Sequence, residues 1–366
     1  MKDNVQQYPK SGFTRLLLKW NRNQNTRQMP WKGEKDPYKI WLSEIILQQT
    51  RVEQGLNYYN RFIRVFPDIQ ALAEATDEKI YKLWEGLGYY TRCRNLITTA
   101  RYVVNEHKAI FPRDYETIRA LKGIGPYTAA AISSFAFNLP YAVVDGNVFR
   151  VLSRFFGIAM PIDSPEGKKI FTHLAGELLD KEQPGVYNQA IMDFGAVICK
   201  PVPLCNNCVF NKTCYAFLHG KTGSLPVKEK QTRIRKRGFY YFILEHKGKI
   251  AIRQRLEKDI WQQLFEFPLI ELVKAPGSKQ ILLEAQKRNW LQKMDKPVAI
   301  SPLFKQQLSH QLITGKFILV RLRREPRLKN DWTWVARNKL GRYAFPQFIR
   351  QYLPSIATNP GPAIAK

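Results

Sequence analysis

Two features of the sequence could carry out chemistry, and the first is a cluster of cysteines. Cys199, Cys205, Cys208 and Cys214 stand in a C-x5-C-x2-C-x5-C array. Four thiolates from one short loop suit a 4Fe-4S cluster. Zinc is the alternative, but zinc sites normally offer two C-x2-C pairs or include histidines, and this array has one such pair and no histidine. We expect the fifth cysteine, Cys93, to be an ordinary buried thiol.

The second feature is a pair of carboxylates, Glu44 and Asp145. Glu44 lies three or four positions from Ile40 and Leu47, so a helix would place it among apolar side chains. Burial raises the pKa of a carboxyl and would keep it able to donate a proton. Asp145 opens a turn, VDGNV, before another helical segment. Taken alone, a solvated Glu44 and an Asp145 that only caps its helix fit equally well.

A glycine-rich turn, LKGIGPYT, lies between these carboxylates in the sequence. Gly123 and Gly125 precede Pro126, a favoured first residue of a helix. Glycines expose backbone N–H groups, and the following helix N-terminus adds a positive dipole, so together they could bind one phosphate. An ordinary helix-turn-helix is the alternative for this motif alone.

The elements that must position these residues change character along the chain. From about residue 12 to 220, apolar residues recur at three and four positions, as in segments 14–20, 40–50 and 147–156, which predicts successive helices. The later stretch GFYYFILEHKGKIAIRQR predicts a β-hairpin with a Lys-Gly turn. We therefore predict a four-part organisation: a mainly α domain (1–225), a basic linker (226–237), an α+β domain (238–353) and a flexible tail (354–366).

The composition of the 366-residue chain favours a polyanionic partner. Lys and Arg number 58 and Asp and Glu 30, a formal net charge of +28. Such an excess favours nucleic acid and salt-sensitive binding. The sequence shows no basic amphipathic helix of the kind that binds a membrane surface. It also contains no apolar run long enough to span a membrane. The start, MKDNVQQYPK, lacks the apolar core of a signal peptide. We expect a cytoplasmic monomer without a membrane partner.

Five strings, in family order, carry a resemblance to a known family: PYKIWLSEIILQQTRV, GLGYYTRCRNL, LKGIGPYTAAAI, VVDGNVFRVLSR and the cysteine array. They resemble the helix-hairpin-helix glycosylases of the endonuclease III superfamily, specifically the MutY-type adenine glycosylases. The resemblance implies a bacterial base-excision repair enzyme that acts on the nucleoid. Its substrate would be double-stranded DNA with adenine opposite 8-oxoguanine or guanine, and its cofactor one 4Fe-4S cluster in loop 199–214.

The resemblance also implies catalytic roles. Glu44 matches the proton donor to the flipped adenine and Asp145 the carboxylate that stabilises the cationic sugar, while Asn147 and Tyr127 match supporting positions. The residue types agree, because glycosidic cleavage needs an acid for the leaving group and a negative charge near the oxocarbenium-like sugar. Related lyases carry a nucleophilic lysine at the position of Tyr127. The tyrosine favours a monofunctional glycosylase.

Further residues match positions that contact DNA. Gln49 and Tyr89 match residues that enter the base stack beside the target, and Arg27 and Trp31 match the adenine-pocket segment. Adenine must leave the stack before a side chain can reach it. Gly123 and Gly125 then match the phosphate-binding hairpin.

The C-terminal part resembles the Nudix-like domain of the MutY type. The run LIELVKAPGSKQILLEAQKR has too few acids, wrongly spaced, for the magnesium site of a Nudix hydrolase, which predicts recognition without pyrophosphatase chemistry. Leu308, Ser309 and His310 match the loop that probes the base opposite the adenine, although an aromatic residue usually stands in place of Leu308. A leucine can still wedge between bases. Without the resemblance, a surface β-turn is the simpler interpretation.

Two alternatives remain open. One is a bifunctional endonuclease III-like lyase, which Tyr127 and the extra domain argue against. The other is a non-catalytic iron-sulfur DNA-binding protein, which would not need to bury an acid such as Glu44. The family typically separates its first two cysteines by six residues, and here the separation is five. The shorter loop could strain a cluster.

Overall fold

A computed structural model describes most of the chain. The described residues are 10–229, 234–272, 277–326, 328 and 331–358. Residues 230–233 of the predicted linker and 359–366 of the predicted tail lie outside them. The chain divides into two compact units, which we call the helical unit (Met1–Glu74 with Arg94–Lys230) and the sheet unit (Ala75–Cys93 with Gln231–Lys366). The predicted boundary at residue 225 stays a prediction.

The chain is helical up to residue 218, as the spacing of apolar residues predicted. The helices are α1 (Lys10–Asn23), α2 (Pro37–Leu47), α3 (Val52–Val65), α4 (Ile69–Glu74), α5 (Asp77–Trp84), α6 (Tyr90–His107), α7 (Tyr115–Ala120), α8 (Pro126–Phe137), α9 (Gly146–Phe156), α10 (Pro165–Leu178), α11 (Pro184–Val197) and α12 (Tyr215–Leu218), with a 3-10 turn at Cys205–Asn207. At the start of several helices, a side chain accepts a hydrogen bond from a backbone N–H group. Ser164, for example, accepts from the N–H of Gly167, with proline at the start of α10.

Helix α2 ends earlier than its apolar pattern predicted. The pattern extends to Thr50, but α2 ends at Leu47, and α3 begins at Val52. The backbone N–H of Gln48 closes the helix on the carbonyl of Glu44, and Gln49 then takes a positive φ of 55°. A left-handed residue cannot continue a right-handed helix. The prediction of helix over 48–50 was therefore wrong.

An aromatic core joins the helices to the cysteine loop. Phe13 of α1 stacks on Phe210 of the loop with ring centroids 4.8 Å apart. Phe155 of α9 and Phe194 of α11 pack on Phe210 at 5.1 and 5.2 Å. Offset and edge-to-face pairs of this kind add to the free energy gained by burial. The loop is thereby held against α9 and α11.

The sheet unit contains a mixed β-sheet, as the change of sequence pattern predicted. Its strands are β1 (Arg235–His246), β2 (Lys249–Gln254), β3 (Phe265–Glu266), β4 (Leu269–Leu272), β5 (Pro297–Ile300), β6 (Phe304–Gln307), β7 (Gln311–Arg321) and β8 (Trp332–Ala336). The order is β3-β2-β1-β7-β5, with β4 on β1, β6 on β7 and β8 on β2. Beyond α5, its helices are α13 (Ser278–Lys287), α14 (Gln347–Arg350) and α15 (Leu353–Thr358), with a 3-10 turn at Arg337–Arg342.

The central strands fix the loop predicted to probe DNA. The β1–β2 hairpin turns at Lys247 and Gly248, both with positive φ, as predicted from the Lys-Gly pair. Strand β1 pairs parallel with β7 from Arg235 to Glu245. Gly315 permits this pairing, because a Cβ there would lie 1.7 Å from the carbonyl oxygen of Phe239. Residues 308–310 form the turn between β6 and β7.

No helix among the described residues is long and apolar enough to cross a membrane.

Candidate active site

Glu44 lies in the interior of the helical unit. Its side chain is 7% exposed and belongs to α2, whose neighbouring residues are also buried. A solvated position for Glu44 is therefore excluded. Burial raises the pKa of Glu44 to about 7, a hydrogen bond from Tyr127 lowers it, and the negative charge of Asp145 raises it. A carboxyl of this kind retains a proton near neutral pH.

Asp145 caps helix α9 and also lies within electrostatic range of Glu44. Its Oδ1 accepts from the backbone N–H groups of Asn147 and Val148 at 2.9 and 2.8 Å. Its Oδ2 accepts from the Asn147 amide at 2.8 Å. Burial raises the pKa of Asp145, whereas these three hydrogen bonds lower it. The capping role and a role at the site are thus compatible, because one carboxylate serves both.

Tyr127 connects the glycine turn to the carboxylates. It follows Pro126 in the first turn of α8, and its hydroxyl hydrogen-bonds with Glu44 and lies 3.4 Å from the Met192 sulfur. Burial holds the pKa of Tyr127 well above its ordinary value, so the hydroxyl stays protonated. Gly125 caps α8, and Gly123 has a φ of 83°. A side chain at Gly123 would also collide with Asn95.

Sequence reasoning assigned no role at this site to helix α11, which contacts both sides of it. Asn188 is fully buried; its Nδ2 donates to the carbonyl of Tyr141 at 2.8 Å, and its Oδ1 accepts from the N–H of Val143 at 3.1 Å. These bonds fix the chain just before Asp145. A Cβ at Gly195 would lie 2.7 Å from the Cβ of Asn147, so this glycine permits α11 to approach α9. The only signal in the sequence was a glycine and polar residues within an apolar helix.

The predicted pocket segment also contacts α11. The Arg27 guanidinium donates to Asp193 at 2.9 Å. Trp31 is buried and packs edge-to-face on Tyr59 of α3 with ring centroids 5.2 Å apart. Arg27 and Asp193 are 166 positions apart in sequence. The structure thus brings Arg27 to α11, the helix that touches Tyr127 and Asn147.

Gln49 and Tyr89, the two predicted base-stack residues, share an unusual backbone conformation. Their φ angles are 55° and 48°, in the left-handed region that residues other than glycine rarely occupy. The Tyr89 ring is 44% exposed. Strained residues of this kind cluster at functional sites, where the surrounding structure holds them in place.

Within the sheet unit, Tyr89 meets the predicted probing loop. Its hydroxyl lies 2.5 Å from the Ser309 hydroxyl. Ser309 and His310 are exposed at the β6–β7 turn, and Leu308 is half-buried, with its N–H donating to the carbonyl of Gln311 at 2.7 Å. The sequence analysis offered two interpretations of residues 308–310, a surface β-turn and a loop that probes DNA. These residues form an exposed turn, and such a turn is compatible with both.

A buried carboxylate anchors the segment that carries Tyr89. Glu85 accepts from the backbone N–H of Phe345 at 2.9 Å and from the Lys82 ammonium at 2.7 Å. Lys82 also donates to the carbonyl of Tyr343 at 3.1 Å. Residues 75–93 are thereby held on the C-terminal part of the sheet unit, which places the exposed Tyr89 ring beside the β6–β7 turn.

The four clustered cysteines line one cavity, together with Arg154 and Ile198. The short first loop closes with the N–H of Leu204 donating to the carbonyl of Ile198 at 3.0 Å. Buried Arg154 donates to the carbonyls of Lys200 and Pro201 at 2.7 and 2.9 Å, and its Nη1 lies 3.6 Å from the Cys199 sulfur. Five intervening residues thus suffice to return Cys205 to the cavity.

One arginine links this cavity to the carboxylates. Arg150 donates to the carbonyl of Cys199 at 2.7 Å, to the side-chain oxygen of Asn147 at 2.8 Å and to the carbonyl of Gly195 at 2.7 Å. The end of α11 and the first cysteine are therefore held in register with the start of α9.

Three acids of the sheet unit pair with arginines. Glu266 is buried and pairs with Arg253 and Arg255, and Asp259 and Glu271 both pair with Arg237. The predicted lack of pyrophosphatase chemistry stays a prediction.

Two family models match the chain. The model described as HhH-GPD superfamily base excision DNA repair protein matches residues 42–173, and the NUDIX domain model matches residues 239–355. The first match contains Glu44, Tyr127 and Asp145.

Individual proteins are similar to this chain over longer stretches than either family model. The adenine DNA glycosylase of Buchnera aphidicola subsp. Baizongia pistaciae (strain Bp) is 37% identical over 303 residues, covering 81% of this chain and 83% of the relative. The Homo sapiens adenine DNA glycosylase is 41% identical over 216 residues, covering 56% of this chain and 39% of that protein. A solved thermostable thymine-DNA glycosylase is 29% identical, with a TM-score of 0.53 over 57% of this chain and 96% of that one. Because the match to the Buchnera protein spans most of both chains, the chain belongs to the adenine DNA glycosylase family of DNA N-glycosylases, with a helical HhH-GPD domain followed by a Nudix-like domain.

Proposed function

We propose that this chain, acting as a monomer, hydrolyses the N-glycosidic bond of adenine paired with 8-oxoguanine or guanine in double-stranded DNA. The observation that carries the proposal is the buried Glu44, which has a pKa of about 7 and lies with Tyr127 and Asp145 in one site. All of these residues come from one chain. The names of the relatives and the net charge of +28 support DNA as the substrate.

In the proposed reaction the two carboxylates have opposite tasks. The flipped adenine receives the Glu44 proton, which makes the base a better leaving group. Asp145, held by its N–H donors, keeps a negative charge near the cationic sugar. Tyr127 offers a hydroxyl and no amine, so water is the acceptor and no Schiff base forms.

The base opposite the adenine is read, in our proposal, by the pair Tyr89 and Ser309. Adenine itself is undamaged, so selectivity must come from the other strand. The C8 oxidation of guanine places a proton on N7, and a hydroxyl that accepts from this N–H distinguishes the oxidised base from guanine. The Ser309 hydroxyl is exposed and beside the Tyr89 ring, which supports this role.

We also propose that Cys199, Cys205, Cys208 and Cys214 hold a 4Fe-4S cluster. The four thiols line one cavity, and one short loop supplies all of them without a histidine, which suits an iron-sulfur cube better than a zinc ion. When bound, the cluster would stabilise the loop whose Lys200 and Lys212 can face DNA phosphates.

We predict that Glu44→Gln lowers single-turnover adenine excision by at least about 100-fold, the loss typical of a missing general acid. The assay uses a duplex with adenine opposite 8-oxoguanine, followed by alkali to reveal abasic sites. Glu116→Gln, which changes an exposed glutamate of α7, is the matched control and should excise at the wild-type rate. Wild-type excision by Glu44→Gln, or strand cleavage and borohydride trapping without alkali, would contradict the proposal.

We predict that changing Ser309 and His310 together to alanine reduces the preference for 8-oxoguanine over guanine opposite adenine. One discriminating hydrogen bond is worth about 1–3 kcal/mol, roughly ten- to hundred-fold in the ratio of kcat/KM on the two duplexes. The ratio is measured at fixed salt, because phosphate contacts dominate total affinity. Ser224→Ala, in the helical unit, is the control. An unchanged ratio in the double variant would mean that another surface reads the opposite base.

We predict that the purified protein is brown and contains roughly four iron atoms per chain, as a 4Fe-4S cluster requires. Iron analysis of Cys208→Ser should show loss of iron, whereas Cys93→Ala, which changes the cysteine outside the array, should retain it. A colourless protein with one zinc ion per chain would refute the cluster.

A further inference from the structure

We propose that Asp193 is a positioning residue that holds the adenine-pocket segment, residues 25–32, against helix α11 and thereby sets the rate of base excision. This inference rests on the proposed function. Asp193 is fully buried and belongs to none of the motifs that carry the resemblance. Among the described residues its carboxylate bonds to Asn25, Arg27, Lys32 and Gln189 and not to Glu44 or Asp145, so its effect must act through the residues it binds.

The Asp193 carboxylate is the meeting point of four donors. Its Oδ1 accepts from Arg27 at 2.9 Å and from Gln189, one helical turn earlier, at 3.0 Å. Its Oδ2 accepts from Asn25 at 2.9 Å and from Lys32 at 3.1 Å. Three of these donors come from the pocket segment, so one carboxylate gathers both of its ends.

The pocket segment connects helices α1 and α2 and depends on this carboxylate for its position. It contains no helix or strand. Its other described hydrogen bonds are short-range, such as that of the Lys32 ammonium to the carbonyl of Arg27 at 2.9 Å, and its long-range packing contact is that of Trp31 on Tyr59 of α3. A buried carboxylate must be paired to stay ionised, so Asp193 and the two cations hold one another in place. Loss of the negative charge would leave Arg27 and Lys32 without their shared partner.

The remaining donors of Arg27 are available to a base. One nitrogen of the guanidinium, Nη1, binds Asp193, and Nε and Nη2 have no acceptor among the described residues. The Arg27 side chain is 25% exposed, whereas the Asp193 side chain has no exposed surface. The geometry therefore fixes one edge of the guanidinium on α11 and leaves the other edge free.

Helix α11 transmits this position to the catalytic pair. Met192, the neighbour of Asp193, contacts the Tyr127 hydroxyl, and Gly195 contacts Asn147. The same helix thus sets the separation between the pocket segment and the acid and carboxylate that act on the base. A displacement of about 1 Å in such a separation can cost roughly 100-fold in rate.

The test is Asp193→Asn, which keeps the shape of the side chain and removes its charge. We expect single-turnover excision of adenine to fall at least about ten-fold, while the Kd for a duplex with an abasic site, which presents no base to the pocket, changes less than about two-fold. A purely structural role would weaken both. In an Arg27→Met background the same change should cost much less, since coupled residues are not additive.

The control is Asp180→Asn, which changes an aspartate that accepts only from its neighbours Glu182 and Gln183 and should match the wild type. If Asp193→Asn does not fold, Lys32→Met removes one of the three segment bonds from a partly exposed position and should likewise slow excision without weakening abasic-site binding. Wild-type excision by these variants, or parallel losses of rate and abasic-site affinity, would overturn the inference alone. Failure of the unmodified protein to excise adenine would overturn the proposed function and the inference with it.

Discussion

Glu44 and Asp145 are neighbouring buried carboxylates in different surroundings, and the rest of the structure maintains that difference. Isolated in an apolar interior, both would take up protons. Glu44 has apolar neighbours and one hydroxyl partner, and burial raises its pKa to about 7. Burial also raises the pKa of Asp145, but three N–H donors at the positive end of α9 act in the opposite direction. This difference suits the proposed mechanism, in which Glu44 donates a proton and Asp145 acts as an anion.

Maintaining this difference requires helices from distant parts of the chain to meet in one place. Helix α2 brings Glu44, α8 brings Tyr127, and α9 presents its N-terminus to Asp145. Helix α11 packs against α8 and α9, and Gly195 permits the close approach to α9. The cysteine loop is tied to the same helices through Phe210 and Arg150, so metal binding there would stabilise the packing around the site as well as the loop itself.

Much of this could be predicted from local sequence. Apolar spacing predicted the helices and the Lys-Gly pair the β-hairpin, whereas the neighbours of Glu44 alone left a buried and a solvated position equally possible. What could not be predicted depends on contacts between distant residues. Asn25, Arg27 and Lys32 lie more than 160 positions from Asp193, and no local sequence pattern predicts that they share this carboxylate. The end of α2 was missed because the left-handed conformation of Gln49 opposes its local helical pattern. The assignment of residues 75–93 to the sheet unit likewise follows from Glu85 meeting residue 345.

The most direct test of the buried acid is the pH dependence of single-turnover adenine excision under saturating protein. In the proposed mechanism Glu44 acts protonated, and its pKa is about 7, so the rate constant should fall about ten-fold per pH unit above that value. Asp145 acts ionised in the same proposal, and because burial raises its pKa, the rate should also fall on the acid side, at a pH above the ordinary aspartate range. The alkaline limb should vanish in Glu44→Gln. A rate constant that is unchanged from pH 6 to pH 9 in the wild type would contradict the account.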